Sequence, residues 1–151
     1  MTENEKRPAS MSLERIYVKD ISYESPNSPH VFMEKVNPQT NVQLNISHRQ
    51  LSEDGQHEVV LAVSVDAKAQ DKTVFLVELQ QAGIFLLQGI SEEDRPKLLE
   101  IACPNVLLPF AREAVNDLVG KGGFPQLLIN PVNFEALYVQ KQAASKQPVQ
   151  H

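Results

Sequence analysis

Residues 41–47, NVQLNIS, alternate without a break: Val42, Leu44 and Ile46 face one way, and Asn41, Gln43, Asn45 and Ser47 the other. Successive side chains of a strand point to opposite faces, so this pattern predicts a half-buried β-strand. The same period recurs at 58–69, where Val59, Leu61, Val63 and Val65 share a face. The turn AQDK separates that segment from 73–85, TVFLVELQQAGIF, so these two strands are predicted to form a hairpin. Upstream, ERIYVKDISYE at 14–24 is rich in β-branched and aromatic residues and predicts a first strand.

Between the first and second strands lies SPNSPHVFMEKVNPQ, in which Pro26, Pro29 and Pro38 forbid a regular ladder. The segment nonetheless carries Val31, Phe32, Met33 and Val36. An apolar loop of this length points to a binding element.

After Gly89 the period changes. SEEDRPKLLEIA predicts a short helix with Ser91 as N-cap and acids in its first turn, ended by Pro104. A second helix is predicted from Leu108 to Val119, with Pro109 in its first turn and an apolar stripe of Phe110, Ala111, Ala114, Val115, Leu118 and Val119. Gly120, Gly122 and Gly123 stop it. Asn133 caps a last helix that places Phe134, Leu137, Tyr138 and Lys141 at i, i+3, i+4 and i+7. The polar residues 1–12 predict a flexible arm and 141–151 a flexible tail, leaving 13–140 as one folded domain. Four strands followed by helices make an α+β fold with an antiparallel sheet. Two substantial helices leave apolar faces uncovered, and oligomerisation is the simplest way to cover them.

Composition narrows the function. The chain has 151 residues, 42% hydrophobic and 22% charged, which suits one folded domain. The net charge of −5 disfavours nucleic acid as a partner. One cysteine, Cys103, rules out an internal disulfide and fits a reducing compartment. The N-terminus has no apolar run of the secretory kind, and no stretch of apolar residues is long enough for a membrane span, so a cytoplasmic location is expected.

Catalytic signatures are missing. GKGG at 120–123 lacks the strand–loop–helix setting and the Ser/Thr of a phosphate loop. His30, His48, His57 and His151 have no metal-ligand spacing with one another or with Cys103. Glu92, Glu93 and Asp94 are explained by a helix N-terminus. No catalytic residue, metal or cofactor is expected.

Four long runs carry a resemblance: RIYVKDISYESPNSPHVF at 15–32, FLVELQQAGIF at 75–85, CPNVLLPFAREAV at 103–115 and GFPQLLINPVNFEALY at 123–138. In this order they are similar to the SecB family of protein-export chaperones. The resemblance implies a homotetramer, a dimer of dimers in which strands of two subunits join and helices lie between two sheets. It implies holding of unfolded preproteins in the cytosol and their delivery to the SecA motor. The family's SecA-binding face carries acids and a leucine at positions matching Asp20, Glu24, Leu76 and Glu78, and receives a basic, zinc-bearing tail of SecA; the zinc belongs to the partner. Strand periodicity independently puts Asp20 with Glu24, and Leu76 with Glu78, on common faces.

By the same resemblance, a client groove lies beneath the loop between strands one and two and beside a helix. Val31, Phe32 and Val36 match it, as do Phe134, Leu137 and Tyr138, for which core packing is the competing reading. Two departures stand out. Some relatives carry Trp near position 36, where this chain has Val36 and no Trp anywhere. Family tails are often acidic, but after Glu135 this chain has Lys141 and Lys146 and no acid. A chaperone dedicated to a single partner, such as a toxin–antitoxin pair, is the alternative reading of the same scaffold.

Overall fold

Strand β1 (Ser10–Glu24), β2 (Gln39–Gln50), β3 (Gln56–Ala69) and β4 (Lys72–Gln88) form one antiparallel sheet in the order β1–β4–β3–β2. The structure is a computed structural model that describes residues 8–35 and 37–146. The β3–β4 hairpin closes through Gln70 and Asp71, both with positive φ (52° and 63°), as a type I′ turn requires. The connection between β1 and β2 contains one short 3-10 turn, His30–Met33.

Alternation on the two central strands builds the core. Val59, Leu61, Val63, Val65 and Ala67 of β3 and Phe75, Val77, Leu79 and Phe85 of β4 are all buried. They meet the helical layer: α1 (Arg95–Lys97), a π-helical turn (Leu98–Ala102) and α2 (Cys103–Lys121) follow one another directly. Leu107, Leu108, Ala111, Val115 and Val119 make the buried seam of α2. Each such side chain stabilises the fold by roughly 1.5–3 kcal/mol when removed from water.

Three expectations for the helices are corrected. Pro104 does not end a helix. The Cys103 N–H donates to the Leu98 carbonyl, five residues back, and this widened turn accommodates the proline that follows. Pro109 lies inside α2 rather than in its first turn. Phe110, placed on the expected stripe, is exposed, because the seam continues backwards through Leu107 and Leu108.

From Phe124 to Asn133 the chain runs back along α2. Asn116 Nδ2 donates to the Leu127 carbonyl (3.2 Å), the Leu127 N–H donates to Asn116 Oδ1 (2.7 Å), and Arg112 Nε donates to the Ile129 carbonyl (3.0 Å). Helix α3 (Phe134–Lys146) follows, and Asn133 Oδ1 accepts the Ala136 N–H at 3.0 Å as an N-cap. Lys141 Nζ meets the buried Glu100 at 2.7 Å and ties α3 to the π-helical turn. Residues 10–12, expected in the arm, belong to β1, and 141–146, expected in the tail, to α3. Residues 1–7 and 147–151 of the expected arm and tail lie outside the described residues.

The helical layer covers the middle of the sheet only. On its side of the edge strands, Leu13, Val18 and Ile21 of β1 and Val42 of β2 are exposed.

Candidate docking face and apolar surface

The register of the sheet assembles the outward face row by row. Glu24 on β1 lies opposite Leu76 on β4, which lies opposite Asp66 on β3, which lies opposite Asn41 on β2. The next row is Ser22, Glu78, Ser64 and Gln43, and the third is Asp20, Gln80, Ala62 and Asn45. Residues directly opposite on one face have Cβ atoms roughly 4.5–5.5 Å apart, and diagonal neighbours are still within reach of long side chains. All four residues expected on a docking face therefore share one patch. Asp20 and Glu78 line a shallow, open depression together with Gln43, Asn45, Ser64 and Gln80.

Asp66 is a member that periodicity on β1 and β4 alone does not reveal. It flanks Leu76 on the side away from Glu24, so the leucine sits between two carboxylates. Asp66 Oδ1 is buried with no hydrogen-bond partner, and Oδ2 lies 3.7 Å from Lys68 Nζ. The alternation of VSVDA at 63–67 against FLVEL at 75–79 is the signal that finds it, once the hairpin register is known.

Strand β1 reaches this arrangement through two bulges. Leu13 pairs with Phe85 and Arg15 with Ile84, leaving Glu14 extra; Val18 pairs with Gln81 and Asp20 with Gln80, leaving Lys19 extra. Met11, Leu13, Ile16, Val18, Ile21 and Tyr23 consequently all face the helical side. Lys19 Nζ donates to both oxygens of Glu58, at 2.9 and 3.2 Å. Glu58 also accepts from Tyr17 Oη and, at 3.1 Å, from Arg49 Nε. Although on the outward side of β3, Glu58 is only 5% exposed beneath these three side chains. The Tyr17 hydrogen bond, aided by Lys19 and Arg49, holds the Glu58 carboxyl below the usual carboxylate range against the opposing effect of burial. Burial and the same carboxylate push the Tyr17 phenol up to about 12.

The apolar candidates separate into two places. Val31 is buried in the core, whereas Phe32 is 49% exposed and stacks on Phe124 with ring centroids 5.1 Å apart. Phe124 in turn packs against Phe75 at 5.2 Å. Asn27 Nδ2 to the Thr73 carbonyl (2.8 Å) and Ser25 Oγ to the Val74 carbonyl (2.9 Å) pin the loop onto the start of β4. Val36 lies outside the described residues.

Phe134 is 2% exposed and belongs to the core, so the competing reading holds for it; Leu137 is exposed and Tyr138 half-buried. Phe32 stands beside Gly123, just past the C-terminal end of α2. Helix α3 is tied to Glu100, just before its N-terminal end. At 1.5 Å per residue α2 is roughly 28 Å long. One chain therefore does not bring Phe32 and Leu137 into a single groove. Met33 of the same apolar loop is 84% exposed, and Leu128, which the sequence did not single out, is 86% exposed; both add to the surface.

Other chemistry is sparse. Burial pushes the Cys103 thiol up to about 12, far from an activated nucleophile. Among the described residues, no group of three or more His, Cys, Asp or Glu is arranged to hold a metal, and no helix is long and apolar enough to cross a membrane.

The family model described as SecB, preprotein translocase subunit SecB, matches residues 3–145. The chain belongs to the SecB family. Curated SecB relatives agree over nearly full length. The protein-export protein SecB of Nitrosococcus oceani is 52% identical, covering 93% of this chain and 87% of the relative. That of Hahella chejuensis is 44% identical with 100% of both covered. Among solved structures, the Mycobacterium tuberculosis SecB-like chaperone in complex with a ChAD peptide from the HigA1 antitoxin superposes with a TM-score of 0.68. It covers 81% of this chain and 90% of that one at 16% identity, which establishes the shared SecB-like fold.

Proposed function

We propose that this chain is a cytosolic, non-enzymatic export chaperone that holds unfolded preproteins and hands them to SecA. The observation that carries the docking half is the row Glu24–Leu76–Asp66, with Glu78 and Asp20 in the two rows beside it. An apolar side chain flanked by carboxylates suits a partner segment with basic residues and one apolar anchor. Such charge complementarity speeds encounter and makes binding salt-sensitive, because screening acts over roughly 8–10 Å.

The holding half uses separated apolar patches. Phe32 and Met33 lie on the loop, Leu128 on the returning segment and Leu137 on α3. A client Leu or Phe buried on such a patch contributes roughly 1.5–3 kcal/mol. Several weak anchors reached by one flexible chain give tight yet reversible holding. The edge strands β1 and β2 offer backbone groups that read no side-chain identity. A folded client hides its apolar segments, so selection needs no sequence motif.

A homotetramer, assembled as a dimer of dimers, accounts for the uncovered apolar positions Leu13, Val18 and Ile21 on an edge strand. Export rather than service to one dedicated partner is supported by 52% identity to an export protein, against 16% to the antitoxin-binding chaperone. Native mass spectrometry with an unfolded preprotein and with the SecA tail peptide tests all parts together. Tetramers that bind both at once are expected; a chain that binds neither overturns the proposal.

A further inference from the structure

Among the outward-facing residues of β1, parity changes midway. Arg15 and Tyr17 face outward before Lys19, and Asp20, Ser22 and Glu24 after it. Uninterrupted alternation from Tyr17 would instead send Asp20 and Glu24 to the helical side, opposite Leu79 and Phe75. The extra residue at Lys19 is what turns the carboxylates onto the face of Leu76 and Glu78. A bulged residue is left out of the ladder and needs another anchor. Here the anchor is the buried Glu58, gripped by Lys19 on one side and by Tyr17 and Arg49 on the others.

We propose that Lys19 and Glu58 are positioning residues for docking: their ion pair fixes the bulge that aims Asp20 at the partner. This rests on the docking face proposed above. Neither residue needs to touch the partner, because Glu58 is covered and Lys19 is committed to it. The ion pair acts through the backbone of the next residue.

The test exploits the sign of the charge. Lys19 is a cation beside an acidic patch, so removing it tightens binding of a basic peptide if charge alone matters. Positioning demands the reverse. Calorimetry of the full chain with the SecA tail peptide is expected to show Lys19→Met binding roughly fivefold to twentyfold weaker. Lys19→Arg, which still reaches Glu58, restores affinity. Asp20→Asn is expected to weaken binding in the otherwise unaltered chain but to have little effect once Lys19 is Met, whereas Glu78→Gln costs the same in both.

Should Lys19→Met melt below the assay temperature, Glu58→Gln takes its place, with the same loss of Asp20 coupling expected. Equal or tighter binding by Lys19→Met, or an undiminished Asp20→Asn effect beside it, overturns the positioning role alone. If Asp20→Asn and Glu78→Gln leave the unaltered chain's affinity unchanged, the docking face itself falls, and the positioning role with it.

Discussion

Glu24 lies directly across from Leu76, on the side of the sheet that the helices do not cover. Because Glu78 is two residues along the same strand, reversing its charge places a cation diagonal to Glu24. Glu78→Lys is expected to weaken binding of the SecA tail peptide by about tenfold or more while protection of an unfolded client is unchanged. Peptide calorimetry and a client light-scattering assay, run on the same preparation, check both halves.

Asp66 should act in the same direction with smaller effect, since Lys68 stands 3.7 Å from one of its oxygens. Asp66→Asn is expected to cost about 0.5–1 kcal/mol of peptide binding and to flatten its salt dependence. An unchanged salt slope would place Asp66 outside the face.

Phe32 offers half of its surface to solvent and packs the rest on Phe124. Phe32→Asp is expected to reduce protection of an unfolded client severalfold with little change in oligomer mass. Folding should lose only the stacking, about 0.5–1.5 kcal/mol. Full protection by this variant would remove the loop from the client surface.

Lys141 satisfies the buried carboxylate of Glu100 on the π-helical turn. Lys141→Ala is expected to destabilise by about 1–3 kcal/mol, since Glu100 loses its partner while the exposed lysine gains little from its own side. Thermal unfolding of the variant, with Glu100→Gln/Lys141→Ala partly recovering the loss, is the check.

The Glu58 network sets two limbs of a stability profile. Its carboxyl titrates below the ordinary range in the fold, so its contribution is complete above that range and lost as pH falls through the lowered value. The Tyr17 phenol is raised from 10.0 to about 12, so its contribution is complete below pH 10 and disappears as pH climbs to about 12. Tyr17→Phe is expected to flatten the alkaline limb and shift the acid limb upward, because the Tyr17 bond is the largest cause lowering Glu58. Melting midpoints across the pH range decide it.

Strand alternation made the shared outward placement of the four docking candidates legible beforehand. Leu76 and Glu78 follow from β4 alone, and Asp20 and Glu24 both lie after the second bulge, so reading β1 as uniform did no harm to that pair. The bulges themselves were written in the apolar spacing 11, 13, 16, 18, 21, 23, whose steps of two and three no regular strand produces. Pro104 misled because proline rules assume an α-helical ladder, and the π-helical turn does not obey it. The groove was illegible for a different reason. Helical periodicity shows that α3 has an apolar side but not that Phe134 is consumed by the core. The placement of α3 depends on Asn116 and Arg112 catching the backbone of a distant segment.

Positions 75, 77 and 79 of β4 hold the fold together while 76, 78 and 80 look outward. Neighbouring codons therefore answer to different selective pressures. Drift at the even positions changes the outward face, where docking is proposed, without disturbing the hydrophobic interior, and drift at the odd ones is policed by folding. A few alternate substitutions on an unchanged scaffold would suffice to give the proposed docking face a different ligand.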